Sequence, residues 1–167
     1  MPVSHHEGRG WVAERLAATR PSLVIDVGPG EGIYSMLMRP YTPGARWECV
    51  EIWEPYVDEF DLTAKYDQVH VGDVRDFAFP DSGYTALLGD VVEHLPEPDG
   101  RRLLADLKQR ADHLMVSVPI VHIEQGAVHG NPHEAHLYHW SWEEMDELMD
   151  RCDAFRGDVL GRWWWSR

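Results

Sequence analysis

Cysteine is nearly absent from the chain. Two thiols in 167 residues, Cys49 and Cys152, cannot build a disulfide framework, and a chain of this length does not need one to bury a core. Cationic side chains are also scarce: 15 Lys+Arg stand against 29 Asp+Glu, a formal charge of −14. Nucleic-acid phosphates are bound by basic faces, so no duplex nucleic-acid partner is expected, although a local basic patch stays open. No apolar run approaches the ~18 residues that a membrane span requires. The opening stretch MPVSHHEGRG lacks the apolar centre of a signal peptide. Internal repeats, Ser/Gly linkers and low-complexity tracts are missing as well. With 44% apolar residues, the expectation is one globular domain over residues 1–167, soluble and cytoplasmic, with no membrane partner.

What is present is an alternation of short apolar runs with helical patterns. Residues 23–27, 47–52, 68–71, 84–89 and 113–118 read as strands. Helices are expected over residues 9–18 and 33–39 (stopped by Pro40), from Pro55 onward, and after Pro98-Asp99-Gly100. Ser141-Trp142-Glu143-Glu144 is a capping box, with Trp140 and Met145 as its hydrophobic staple. The helix it opens turns Met145, Leu148, Met149 and Cys152 inward. Residues 154–165 break at Gly157 and Gly161 and read as one or two strands. Continuous apolar strands alternating with helices imply an α/β fold, a mostly parallel sheet covered on both faces. Ligands of such sheets sit at the carboxyl ends of the strands, near the switch point.

Asp26-Val27-Gly28-Pro29-Gly30-Glu31-Gly32 follows the first strand and opens a helix. Glycines there let the chain turn tightly and let a ligand approach the amides. A dinucleotide fingerprint has the spacing G-x-G-x-x-G, and Ile33 occupies the place of its third glycine. Glu31 is expected where a diphosphate would dock and would repel it. A Gly-Lys-Ser/Thr phosphate loop is absent. The ligand expected carries no phosphate and tolerates carboxylates. S-adenosylmethionine, with its ammonium and sulfonium, has that chemistry, and its carboxylate can face the turn amides.

Glu51 ends the second strand, 25 residues after Asp26. A carboxylate at that place can accept both hydroxyls of a ribose, or it is a solvated strand-end acid. Ile52 and Trp53 would flank an adenine. Gly72-Asp73-Val74 follows the third strand, where Asp73 can accept from an adenine amino group. Asp76 is the rival position, and either aspartate can instead cap a helix.

Together with Leu87-Leu88-Gly89-Asp90-Val91-Val92-Glu93-His94-Leu95-Pro96, these motifs resemble the class I S-adenosylmethionine-dependent methyltransferases of the small-molecule type. The likeness is good over residues 20–120 and loose beyond. It implies a Rossmann-like three-layer sandwich with a seven-stranded, mostly parallel sheet and an antiparallel last strand. It also implies S-adenosylhomocysteine as product and a cofactor site of Asp26, Gly28, Gly30, Glu51, Ile52, Asp73, Val74 and Asp90. Asp26 and Gly28 fall near the methionine moiety. Two departures stand out: Tyr84 replaces an acid near the start of the fourth strand, and the short chain leaves room for only a small substrate-capping insertion.

Methyl transfer is an in-line displacement in which positioning does much of the work. A base adds typically 10²–10⁴-fold when the acceptor must lose a proton. His94 is one candidate, against a structural histidine capping the next turn. Asp90 and Glu93 could orient the acceptor or bind a metal, but two acids alone do not argue for an ion, so none is assigned. Five of the ten histidines fall between His122 and His139. That loop can line an acceptor pocket, with His133 or His136 as base, hold zinc or iron, or be polar surface. Tyr138, Trp140 and Trp142 are candidates to wall the pocket, with helix-docking core as the alternative. Trp163-Trp164-Trp165 cannot all point one way in a strand, so one face is expected to be exposed and open to a homodimer contact. The partner expected is a small-molecule methyl acceptor at oxygen or nitrogen. Two alternatives stay open: a catalytically silent cofactor-binding module or partner subunit, and a nicotinamide-dependent oxidoreductase.

Overall fold

The computed structural model describes residues 5–167. Residues 1–4, part of the stretch read above for a leader, lie outside the described residues. The seven strands are β1 (Leu23–Val27), β2 (Arg46–Glu51), β3 (Gln68–Val71), β4 (Thr85–Gly89), β5 (His113–Pro119), β6 (Asp153–Arg156) and β7 (Leu160–Ser166). They form one sheet in the order β3-β2-β1-β4-β5-β7-β6. The first five strands are mutually parallel, and β7 runs antiparallel between β5 and β6. The expected mixed sheet with its reversed last strand is therefore present.

Helices cover both faces, which is why the strands read as continuous apolar runs rather than alternations. One face is packed by α5 (Glu97–Arg110) through Leu103, Leu104 and Leu107, and by α6 (Trp142–Met149) through Met145 and Met149. The other is packed by α1 (Arg9–Thr19) through Val12 and Leu16, by α2 (Ile33–Met38) through Tyr34 and Met38, and, after the short α3 (Pro55–Glu59), by α4 (Leu62–Lys65) through Leu62. Along β5, Leu114, Val116 and Val118 enter the first core while Met115 enters the second.

The tryptophan run follows the same rule and corrects an expectation. Trp163 enters the first core, Trp164 the second, and Trp165 packs against the first. The three do alternate in direction, but both faces are interior. The run thus presents no exposed tryptophan face, and the ground offered for a homodimer contact is gone.

Other boundaries shift for local reasons. Helix α5 begins at Glu97, not after Gly100, because Pro98 falls in the first turn, where no amide is needed. Gly100 is tolerated inside it because Trp140 lies across that point: a Cβ there would meet Trp140 Cζ2 at 2.9 Å. Beyond α2 the chain passes through Pro40 as a short 3₁₀ turn, Arg39–Tyr41. The capping box is complete, with Ser141 and Glu144 bonding reciprocally. Helix α6 ends at Met149, so Cys152 lies beyond it and packs only partly buried against the core.

The N-terminal segment is tied to the far edge of the sheet. The Glu7 carboxylate accepts the amides of Asp158, Val159 and Leu160 at 3.2, 3.0 and 2.9 Å. Arg162, wholly buried on β7, donates to the Glu7 and His5 carbonyl oxygens at 2.6 and 2.9 Å and to the Tyr34 hydroxyl. No helix among the described residues is long and apolar enough to cross a membrane.

Candidate functional site

The strand order reverses between β1 and β4. At the carboxyl ends of the strands beside that point lies a cavity of about 430 Å³, within the range of ligand pockets. Its floor is the turn after β1. Gly28, Gly30 and Gly32 have φ of 59°, 52° and 73°, a left-handed conformation that costs an L side chain ~1–2 kcal/mol. At Gly28 the turn also passes tightly beneath the β4 loop: a Cβ would lie 3.1 Å from Val91 Cγ2. The amide of Gly28 donates to the Val50 carbonyl oxygen at 2.9 Å, which fixes the turn against β2.

Gly28, Gly30, Glu51, Ile52, Asp73, Val74 and Asp90 all line this cavity. Asp26 does not. Its buried Oδ2 accepts the Tyr66 hydroxyl at 2.5 Å and braces the turn from within the core, while Oδ1 meets no hydrogen-bond partner. Glu31 is also outside the lining, whereas Glu51, Asp73, Asp90, Glu93 and Glu134 line the cavity together with Arg75. Trp53 and Asp76 lie outside it too, with the Trp53 ring 6.1 Å from that of His133. Asp73 lines the cavity and caps as well: its Oδ1 accepts the Arg75 amide at 2.9 Å, and its carboxylate holds the Arg75 guanidinium.

Three carboxyls here are almost fully buried, and burial raises the pKa of each by penalising the charged form. Asp26 is pushed up to about 7, against the lowering effect of the Tyr66 hydrogen bond. Glu51 is also pushed up to about 7, although its Oε1 accepts the Trp53 amide at 2.7 Å. Glu93 is driven well above the ordinary range by burial, with Asp90 adding like-charge repulsion. Neither carboxylate oxygen of Glu93 has a hydrogen-bond partner. Asp90 adopts a φ of 59°, rare for a side chain with a Cβ, and its Oδ1 accepts the Ser117 hydroxyl at 2.7 Å.

The histidine-rich stretch divides. His94 and His136 meet at one end of the cavity, with ring centroids 5.0 Å apart. His94 Nδ1 lies 3.1 Å from the Ala135 carbonyl oxygen and His136 Nδ1 lies 2.8 Å from that of Ile123. A carbonyl oxygen only accepts, so each Nδ1 carries a proton, and Nε2 is the atom that holds the lone pair in the neutral ring. Burial lowers the pKa of His94, which keeps that ring neutral. His133 lines another part of the cavity, beside Trp53. His129 instead pairs with Glu59 at 3.7 Å, and His122 and His139 pack together at 5.3 Å outside the cavity.

The aromatic candidates are core. Trp140 is fully buried, and Trp142 packs on Trp163 at 4.7 Å. Tyr138 packs on Trp140 and borders an adjoining depression that shares Ile123, Gln125, His136 and Leu137 with the cavity. The cations over Trp140 and Trp142 are the chain's own Arg101 and Arg156, at 5.4 and 5.0 Å. Sequence reasoning missed Tyr34, His5 and Leu160, which close the cavity on the side of β7. A helix residue, an N-terminal residue and a distant strand residue carry no local signal of meeting.

No protein-family model matches the chain, and no curated protein does so significantly. Solved structures do resemble it. Mitomycin 7-O-methyltransferase superposes with a TM-score of 0.61 at 17% identity, over 93% of this chain and 53% of its own. The 1,6-didemethyltoxoflavin-N1-methyltransferase of Burkholderia thailandensis, with S-adenosylhomocysteine bound, gives 0.66 at 16% identity, over 96% and 78%. The methyltransferase domain of a bacterial Hen1 gives 0.66 at 18% identity, over 95% and 95%. The chain thus spans about half the length of the first of these. Strand order, reversed last strand and glycine turn agree with these likenesses: the chain has the class I S-adenosylmethionine-dependent methyltransferase fold.

Proposed function

We propose that the chain transfers a methyl group from S-adenosylmethionine to a small-molecule oxygen or nitrogen acceptor. One observation carries the reading above the others. A turn of left-handed glycines and a buried carboxylate, Glu51, at the end of the next strand share one cavity at the switch point. The glycines let a ligand approach the turn's backbone closely, and Glu51 suits vicinal hydroxyls. Four further acids, Asp73, Asp90, Glu93 and Glu134, line the cavity beside Arg75; where ionised they repel a diphosphate and attract a sulfonium and an ammonium.

Bound there, the cofactor supplies an electrophilic methyl carbon whose bond to sulfur breaks with its electron pair left on sulfur. The chain's residues hold and orient the reactants. Gly28 and Gly30 present the turn to the amino-acid part, Glu51 accepts from the ribose, and Ile52, Val74 and Asp73 enclose the base. Asp90, fixed by Ser117, stands between the turn and the acceptor end. The Nε2 lone pairs of His94 and His136 can take the proton that an O–H or N–H acceptor releases as its new bond to carbon forms. His133 is set apart from them, beside Asp73 and Trp53.

The test is transfer of labelled methyl from S-adenosylmethionine to a panel of phenols, amines and heterocycles, with short RNA as a further arm. Transfer to a small molecule supports the proposal. Cofactor binding with no transfer to any acceptor would favour a silent binding module, and transfer to RNA alone would replace the small-molecule acceptor.

A further inference from the structure

Glu93, His94 and His136 each bring one ligand-type atom to within 4.8 Å of the others. Glu93 is 2% exposed and lines the cavity, yet neither of its carboxylate oxygens meets a donor. A buried, unpartnered carboxyl group is costly in either protonation state and is satisfied by a cation or a donor that the protein's own side chains do not supply. The two imidazoles answer the same need. Both have Nδ1 committed to a backbone carbonyl, of Ala135 and Ile123. That arrangement fixes the tautomer and leaves Nε2 as the metal-capable atom.

We propose that Glu93, His94 and His136 form a binding site for one divalent transition-metal ion. The inference rests on the reading of the cavity given under Proposed function. Two imidazole nitrogens and one carboxylate oxygen select manganese, iron, cobalt or zinc over magnesium or calcium, which take oxygen ligands. Three protein ligands leave coordination positions open. An ion held here would bind the acceptor's oxygen and so select acceptors bearing a hydroxyl able to coordinate it. His94 and His136 then serve as ligands rather than as bases. The acceptor's proton passes to solvent water as the new O–C bond forms and the C–S bond breaks, its electron pair staying on sulfur.

The ligands come from two stretches of chain. Glu93 and His94 lie in the short 3₁₀ turn after β4. His136 lies in the loop after β5, which is tied down by Gln125: its carbonyl oxygen accepts the His136 amide at 2.9 Å, and its Nε2 donates to the Glu134 carbonyl oxygen at 2.7 Å. The cluster is therefore set by backbone contacts independent of any ion.

The experiment is titration of chelator-stripped protein with Co²⁺, read by visible absorption and calorimetry, and repeated with Mn²⁺ and Zn²⁺. One equivalent of ion is expected to bind. Glu93→Gln and His136→Ala should each weaken binding by at least about tenfold, while His139→Ala, outside the cluster, leaves it unchanged. S-adenosylhomocysteine affinity in the same samples reports whether each variant is folded. A variant that has lost it is replaced by His94→Asn. Absence of saturable binding by all three ions overturns the proposal. So does binding that survives the cluster variants, or that His139→Ala removes. Nucleoside binding without metal binding removes the ion alone, and loss of nucleoside binding in the parent protein removes the proposed function.

Discussion

The Tyr66 hydroxyl donates to Asp26 Oδ2 at 2.5 Å, deep beneath the glycine turn and away from the cavity. The pair joins Tyr66, two residues before β3, to the end of β1, and it occupies one oxygen of the motif's first acid. Tyr66→Phe would leave a buried carboxyl without its donor, a loss of about 1–3 kcal/mol. A lower urea midpoint with unchanged slope would show it. Nucleoside affinity should change far less than with Glu51→Ala; an equal loss would mean that Asp26 belongs to the binding surface.

Glu51→Ala should weaken S-adenosylhomocysteine binding by ~1.5–3 kcal/mol, the scale of hydrogen bonds to a charged group, while the fold stays intact. Calorimetry and circular dichroism on the same sample separate the two. Unchanged affinity would remove Glu51 from the ribose.

The raised pKa of the Glu51 carboxyl, at about 7, gives this contact a pH dependence of definite sign. Ribose hydroxyls donate to an ionised carboxylate, so binding favours the deprotonated form and releases a proton. Affinity should therefore rise with pH up to about 7 and level off above it, with a limiting slope of about tenfold per pH unit. In Glu51→Gln the profile should flatten in that window. A profile identical to the parent's would assign the titration elsewhere.

Gly28→Ala combines a left-handed backbone with a Cβ placed 3.1 Å from Val91 Cγ2. A stability loss of about 1–2 kcal/mol is expected from the backbone alone, with a loss of nucleoside affinity as the turn shifts. Ser141→Ala is the contrasting case. It removes the α6 cap at a cost of ~0.5–2 kcal/mol but touches nothing in the cavity, so thermal unfolding should move and binding should not.

Much of the architecture was legible because its signals are local. Residues 23–27 and 68–71 match β1 and β3, and the Ser141 box opens α6 where the spacing places it. The glycine turn and Glu51 were legible because both fall at strand ends, where chain order maps directly onto one edge of the sheet. What stayed hidden depends on which face a side chain takes or on loop closure. Asp26 sits in the motif but points into the second core. Trp163 to Trp165 alternate as a strand demands, yet sequence could not show that β7 is covered on both sides. Glu93 and His136 are brought together by hydrogen bonds that hold a loop, from Gln125 and Ile123, and no spacing rule encodes that closure.

The central claim is met most directly by calorimetric titration of the protein with S-adenosylhomocysteine and, separately, with NADH. One equivalent of the thioether nucleoside should bind and the dinucleotide should give no saturable heat. Saturable binding of NADH, or no binding of S-adenosylhomocysteine at any pH between 6 and 8 (bracketing the Glu51 value of about 7), would contradict it.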